Sequence, residues 1–267
     1  MEKKIYTLFL MACLTTNSYS QWTLDYLSST RVQLQAAKMG TELYFVGGND
    51  GVSMTSTVDV YNTLSETWMP VTNISSGRCF TAATGGDSAL YVAGGLESFG
   101  NPFVGSNIVD IYKNNIWSTD TLADSIWYAQ AVHVGSKILI GGAFISYNSG
   151  TGAVAVSDLV YVYDEITNIW STDTLSQARS GTAVATNGII AIFAGGLSGP
   201  DQPSNVVDIY NSVTDTWTAD TLSEARMNAA GIYAGGKFYF AGGAKAGAGN
   251  SSDVVDIYDG ANWTTAQ

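Results

Sequence analysis

An all-β fold built from repeated four-stranded units is predicted for this 267-residue chain by three observations. Apolar and polar residues alternate in short runs, and no stretch carries the 3.6-residue stripe of an amphipathic helix. Glycine numbers 29 against 4 prolines, above the roughly 7% glycine of average chains, which suits a fold with many tight turns. Apolar runs that close on a pair of glycines recur five times along the chain.

The first segment stands apart from these repeats. Glu2, Lys3 and Lys4 precede an apolar run from Ile5 to Leu14, and the small residues around Ser18 and Ser20 follow it. This is the pattern of an export signal, with cleavage expected after Ser20. Residues 1–20 are therefore assigned to a signal peptide, and a secreted, periplasmic or cell-surface location follows. Cys13, after Ala12, offers the alternative of a lipoprotein anchor. No later run reaches the ~18 apolar residues that a membrane-spanning helix needs. Removal or lipidation of Cys13 leaves Cys79 without a disulfide partner, so packing must supply the stability.

Residues 21–267 hold the repeats. Leu43–Val46, Leu90–Ala93, Lys137–Ile140, Ala191–Ala194 and Phe238–Ala241 each run into a glycine pair, starting at Gly47, Gly94, Gly141, Gly195 and Gly242. A second extended segment follows each pair and ends in Tyr61, Tyr112, Tyr163, Tyr210 or Tyr258; a tryptophan then closes the unit at Trp68, Trp117, Trp170, Trp217 and Trp263. A lone four-stranded sheet leaves one face wet, so neighbouring units must stack face to face, as blades of a β-propeller do. The large aromatic plates fill the wedge between blades.

Paired glycines, a downstream tyrosine and a tryptophan in units of about 50 residues resemble the kelch repeat. The resemblance covers roughly residues 22–263, with repeats near 31–68, 78–117, 126–170, 179–217 and 226–263. It departs from the pattern where Tyr161 takes the place of the aspartate seen at Asp59, Asp110, Asp208 and Asp256. It implies a kelch-type propeller of four-stranded blades. Trp22-Thr23-Leu24-Asp25 repeats Trp217-Thr218-Ala219-Asp220 and reads as an orphan outer strand. The expected ring is thus six-bladed and incomplete at its C-terminal end, with five-bladed closure as the alternative.

Charge narrows the functional classes. Eleven basic residues face 23 acidic ones, a net charge of −12, so a nucleic-acid backbone is an unfavourable partner. All four arginines, Arg31, Arg78, Arg179 and Arg226, stand 16 residues before the first glycine of their unit. The third unit has no charge in that slot, which falls near Ile126 and Trp127. In kelch domains this position lies near the mouth of the central channel. The resemblance implies a positive ring that could grip a carboxylate-bearing ligand, since guanidinium pairs with carboxylate through two parallel hydrogen bonds. The competing role is structural, each arginine pairing with an aspartate or carbonyl of the adjoining blade.

The longest loops, after the glycine pairs of units two and three, carry Phe99 and Phe103, and Phe144 and Tyr147. By the same resemblance they share a face with the arginine slot, so these four and Trp127 are expected to wall a pocket there. Catalysis finds less support. His133 is the only histidine and reads as a packed strand residue, Cys79 as a small hydrophobe, and the aspartates repeat at equal positions as scaffold does. No catalytic residue, metal or cofactor is expected. The function predicted is a binding module for a protein, an acidic peptide or a carboxylated glycan. The alternative is a carbohydrate-active propeller of the sialic acid mutarotase kind.

Overall fold

The computed structural model describes residues 24–100, 102–148 and 150–266. The expected signal peptide and Trp22 lie outside them. The described chain is all-β, with no helix. In the first blade β1 (Gln35–Met39), β2 (Glu42–Val46), β3 (Thr57–Asn62) and β4 (Thr67–Trp68) form an antiparallel meander, and β5 (Thr72–Asn73) also pairs with β3. The second comprises β6 (Ala82–Gly85), β7 (Ala89–Ala93), a short β8 (Leu96–Ser98) on the edge, β9 (Val104–Lys113) and β10 (Ile116–Ile126). The third contains β11 (Gln130–Val134) and β12 (Lys137–Gly141), then an inserted hairpin, β13 (Phe144–Asn148) and β14 (Ala153–Val156), before β15 (Leu159–Asp164) and β16 (Ile169–Thr174). The fourth is β17 (Ala183–Thr186), β18 (Ile190–Ala194), β19 (Val206–Asn211) and β20 (Thr216–Thr221); the fifth is β21 (Ala230–Ala234), β22 (Lys237–Ala241), β23 (Val255–Tyr258) and β24 (Trp263–Ala266). Five blades of a propeller result, each with its first strand innermost.

The apolar alternation read from the sequence now has a destination. In blades two to four the second strand is the most buried, β7 along its whole length, because these blades stack on both of their faces. Four separate cores lie between consecutive blades: Tyr44, Val60 and Leu90 belong to the first, Tyr91, Ile138 and Tyr161 to the second, Leu139, Phe193 and Tyr210 to the third, Ile192, Ile209 and Phe240 to the fourth. Burying such a side chain stabilises by about 1.5–3 kcal/mol. The repeated tyrosine and tryptophan pack ring to ring within each blade, at 4.8–5.2 Å between centroids.

Four of the five repeat tryptophans also reach back to the preceding blade. The indole N–H groups of Trp170, Trp217 and Trp263 donate to Asp120, Asp173 and Asp220 at 2.8, 2.6 and 2.9 Å, and that of Trp117 donates to Thr72 at 2.9 Å. Trp68 in the first blade has a buried Nε1 with no hydrogen-bond partner among the described residues. The slot that should serve it in the sequence pattern is Asp25, whose Oδ1 accepts the Tyr26 N–H at 2.8 Å just as Asp120, Asp173 and Asp220 accept from their next residue.

The inner strands β1, β6, β11, β17 and β21 pack in that order around the axis. No comparable packing joins β21 to β1 among the described residues. The free face of β21 leaves Ile232 62% exposed and Tyr233 also in solvent, whereas the matching strands β6 and β17 are covered. Among the described residues, the junction of β21 with β1 is thus the one inner-strand junction whose apolar face stays uncovered.

Candidate functional site at the propeller mouth

The arginine slot and the glycine pairs turn out to be two halves of one joint. Arg179 Nη2 donates to Asp208 Oδ2 at 2.5 Å and to the Phe193 carbonyl at 3.2 Å. Arg31 and Arg226 do the same with Asp59 and Phe45, and with Asp256 and Phe240. Arg78 pairs with Asp110 and donates to the Ile108 carbonyl. The other oxygen of each aspartate accepts the backbone N–H of a serine three residues before the arginine: Ser28, Ser75, Ser176 and Ser223. All four guanidinium side chains are 0% exposed. Each pair lies within its own repeat rather than across to an adjoining blade, as the structural role read from the sequence had it. What crosses to the neighbour is the backbone: the N–H groups of Gly48 and Gly196 donate to the carbonyls of Arg78 and Arg226 in the next blade at 2.8 and 2.9 Å, and that of Gly95 donates at 2.8 Å to the carbonyl of Ile126, the last residue of β10 before the chain enters the third blade.

The third repeat shows how tightly the two slots are coupled. Where the arginine is missing, Ile126 fills the space, and where the aspartate is missing, Tyr161 does; both are buried. The Tyr161 hydroxyl donates to Asp124 Oδ2 at 2.9 Å and accepts the Asp124 N–H at 3.2 Å, replacing the polar contacts of the ion pair.

Burial shapes the titration of these groups. It pulls Arg78 and Arg179 below the ordinary arginine value, with Asp110 and Asp208 opposing it. Burial also raises the Asp59 carboxyl, but the bonds from Ser28 and Arg31 outweigh it and hold Asp59 below its ordinary 3.8. A depressed native value means that this carboxylate stabilises the fold above pH 3.8 and loses that contribution as pH falls through the native value. Urea midpoints are therefore expected to drop on acidification from about pH 5 to about pH 3, and Asp59→Asn should flatten that part of the profile. An Asp59→Asn curve parallel to wild type would remove Asp59 as a source of the acid sensitivity.

The mouth itself is walled by aromatic residues. Two positions past the arginine slot stand Gln33, Phe80, Tyr128, Gly181 and Asn228, all with φ between +52° and +59°. Backbone bonds run between them from blade to blade: Phe80 N–H to Gln33 O at 3.1 Å, Tyr128 N–H to Phe80 O at 2.9 Å, Asn228 N–H to Gly181 O at 3.0 Å. The Tyr128 hydroxyl, kept protonated because burial raises its pKa, donates to Asn228 Oδ1 at 3.0 Å across the ring. Bulky side chains such as Phe and Tyr rarely adopt this left-handed conformation, and where they do the strain commonly marks a functional site.

The loops converge on this ring. Trp127 and Phe144 exchange backbone hydrogen bonds and stack at 6.1 Å. Phe144 also meets Tyr128, Phe103 meets Tyr147 at 4.7 Å, and Phe99 bridges Phe80 and Phe103 edge-on. Together they form a cavity of about 390 Å³ lined by Phe80, Phe103, Trp127, Tyr128, Phe144 and Tyr147, while Phe99 does not line it and joins the cluster through its ring contacts with Phe80 and Phe103. All five aromatics singled out in the sequence thus come together, whereas none of the four arginines lines the cavity. Phe80, Tyr128 and Asn228 were missed by sequence reasoning, although a fixed offset of two from the arginine slot marks them. Cys79 sits beneath the cavity wall, buried, its thiol pushed up to about 11 by that burial. The loop carboxylates Glu97 and Asp201 contact Ser76 and the Gly247 N–H and take no part in this cluster.

Comparisons with known proteins bear on the fold. The family model described as the Kelch motif matches residues 30–75. No curated protein matches. A solved structure titled "Structure of YjhT" superposes with a TM-score of 0.71 at 15% identity, covering 88% of this chain and 83% of that one. Residues 30–75 thus carry a Kelch motif, and the chain folds as a five-bladed β-propeller with that motif as its first blade.

Proposed function

We propose that this propeller is an exported binding module whose mouth takes up a large apolar side chain of a peptide or protein ligand. The observation that carries the reading is the aromatic cavity of about 390 Å³, in the size range of ordinary ligand sites. It stands on a rigid blade scaffold, is rimmed by few polar groups, and offers the Tyr128 hydroxyl and Asn228 amide to orient what enters. Such a pocket favours an aliphatic or aromatic anchor, because burying that anchor supplies most of the affinity at a peptide interface. The four arginines are enclosed by their own aspartates, which weakens the case for a carboxylate ligand and for a carboxylated sugar. The export part of the reading rests on residues 1–20. Among the described residues no helix is long and apolar enough to cross a membrane.

Panning a displayed random-peptide library against the protein tests this. Enrichment of sequences with a Phe, Trp, Leu or Met anchor is expected, and a synthetic peptide from that pool should bind Phe103→Ala at least ~30-fold more weakly, about 2 kcal/mol. A failure to enrich any peptide, or binding indifferent to Phe103, would overturn the proposal.

A further inference from the structure

At the opposite rim of the propeller from the mouth, three side chains from two blades meet. Asp87 lies in the turn between β6 and β7, His133 on β11, and Glu165 in the turn that follows β15. His133 Nε2 stands 3.1 Å from Glu165 Oε2 and 3.6 Å from Asp87 Oδ1, and one donor atom from each residue lies within 4.8 Å of the others. We propose that Asp87, His133 and Glu165 form a binding site for a first-row divalent cation, such as zinc, that ties the second blade to the third.

Four observations converge on this site. First, His133 Nε2 is a solvent-shielded ring nitrogen without a hydrogen-bond partner among the described residues, close as the two carboxylates stand to it. Second, the spacing suits a metal: ligands at ~2.0–2.2 Å from a tetrahedral ion stand ~3.4 Å apart along an edge, between the two distances seen here. Third, Glu165 is held in place as metal-bound carboxylates are. The Tyr91 hydroxyl donates to its Oε1 and the Asp87 N–H to its Oε2, both at 3.1 Å. Fourth, the carboxylate reaches this position only because residue 86 is glycine, since a Cβ there would collide with both Glu165 oxygens.

The donor set also selects the ion. One imidazole nitrogen and two carboxylate oxygens carry two negative charges, which a divalent cation cancels in a chain already at −12. Imidazole favours zinc and its first-row neighbours over magnesium and calcium, whose sites are built from oxygen. Three protein ligands leave coordination positions for water on the exposed Asp87 side.

Zinc chloride titrated calorimetrically into the chelator-treated full chain should bind saturably at one ion per chain, and the thermal midpoint should rise with zinc but not with magnesium. Asp87→Asn, at a surface turn, and His133→Asn should each weaken zinc at least tenfold. Asp87→Asn should keep the zinc-free thermal midpoint, so lost binding is separable from lost fold. Absence of saturable zinc uptake by the wild-type chain, or uptake unchanged in both variants, would overturn the site.

Discussion

Replacing Asp208 with alanine is expected to lower the unfolding free energy by about 3–5 kcal/mol, the cost of leaving a buried charge without its partner. Arg179 is the arginine with the least to fall back on. Its Nε and Nη1 have no partner among the described residues, and its one other bond is to the Phe193 carbonyl. Burial already works against its charge, and Asp208 is what offsets that. The same variant also strips the Ser176 N–H of its acceptor. The third blade shows that the slot tolerates an uncharged pair, because Ile126 and Tyr161 occupy it. The double variant Arg179→Ile/Asp208→Tyr should therefore regain stability to within about 1–2 kcal/mol of wild type, since a packed apolar pair often replaces a buried ion pair at little cost. Urea unfolding of the three proteins decides the matter. A loss below about 1 kcal/mol for Asp208→Ala would mean that the pair is not what holds the blade.

A second large effect is expected from Gly195→Ala, about 2–5 kcal/mol of destabilisation from two sources. Its φ is +63°, and an added Cβ would come to 2.5 Å from the Arg226 carbonyl oxygen of the next blade. That backbone cannot retreat, because the same oxygen accepts the Gly196 N–H. Gly235 serves as the internal control. It has φ +55° but nothing within 4 Å of where an added methyl group would sit, so Gly235→Ala should cost only the conformational strain of roughly 1–2 kcal/mol. The difference between the two variants measures the closeness of the blades. Equal losses would show that the glycine pair is kept for its backbone angle alone.

The blade architecture was legible in the sequence because strand periodicity, glycine pairs and aromatic closures are local signals repeated five times. The aromatic mouth was legible too, since Phe99, Phe103, Phe144 and Tyr147 fall in the two longest loops and Trp127 takes the uncharged slot. The direction of the arginines was harder to read. Equal spacing shows that four side chains share an environment, and says nothing of whether it is a channel or a blade interior. A clue was nevertheless present: the one repeat without arginine is the one in which Tyr161 replaces aspartate, as an ion pair requires. The cation site was invisible for a different reason. Asp87, His133 and Glu165 lie far apart in sequence and in unrelated positions of their repeats, so only the stacking of the second and third blades brings them together.

On this view the mouth binds through its aromatics while each arginine–aspartate pair holds its own blade together. Titrating one selected peptide against Arg179→Ile/Asp208→Tyr and against Phe103→Ala/Tyr147→Ala tests it directly. Affinity within about threefold of wild type is expected for the first and a loss of at least ~30-fold for the second. Weakened binding in the arginine pair variant, with the aromatic variant unaffected, would contradict it.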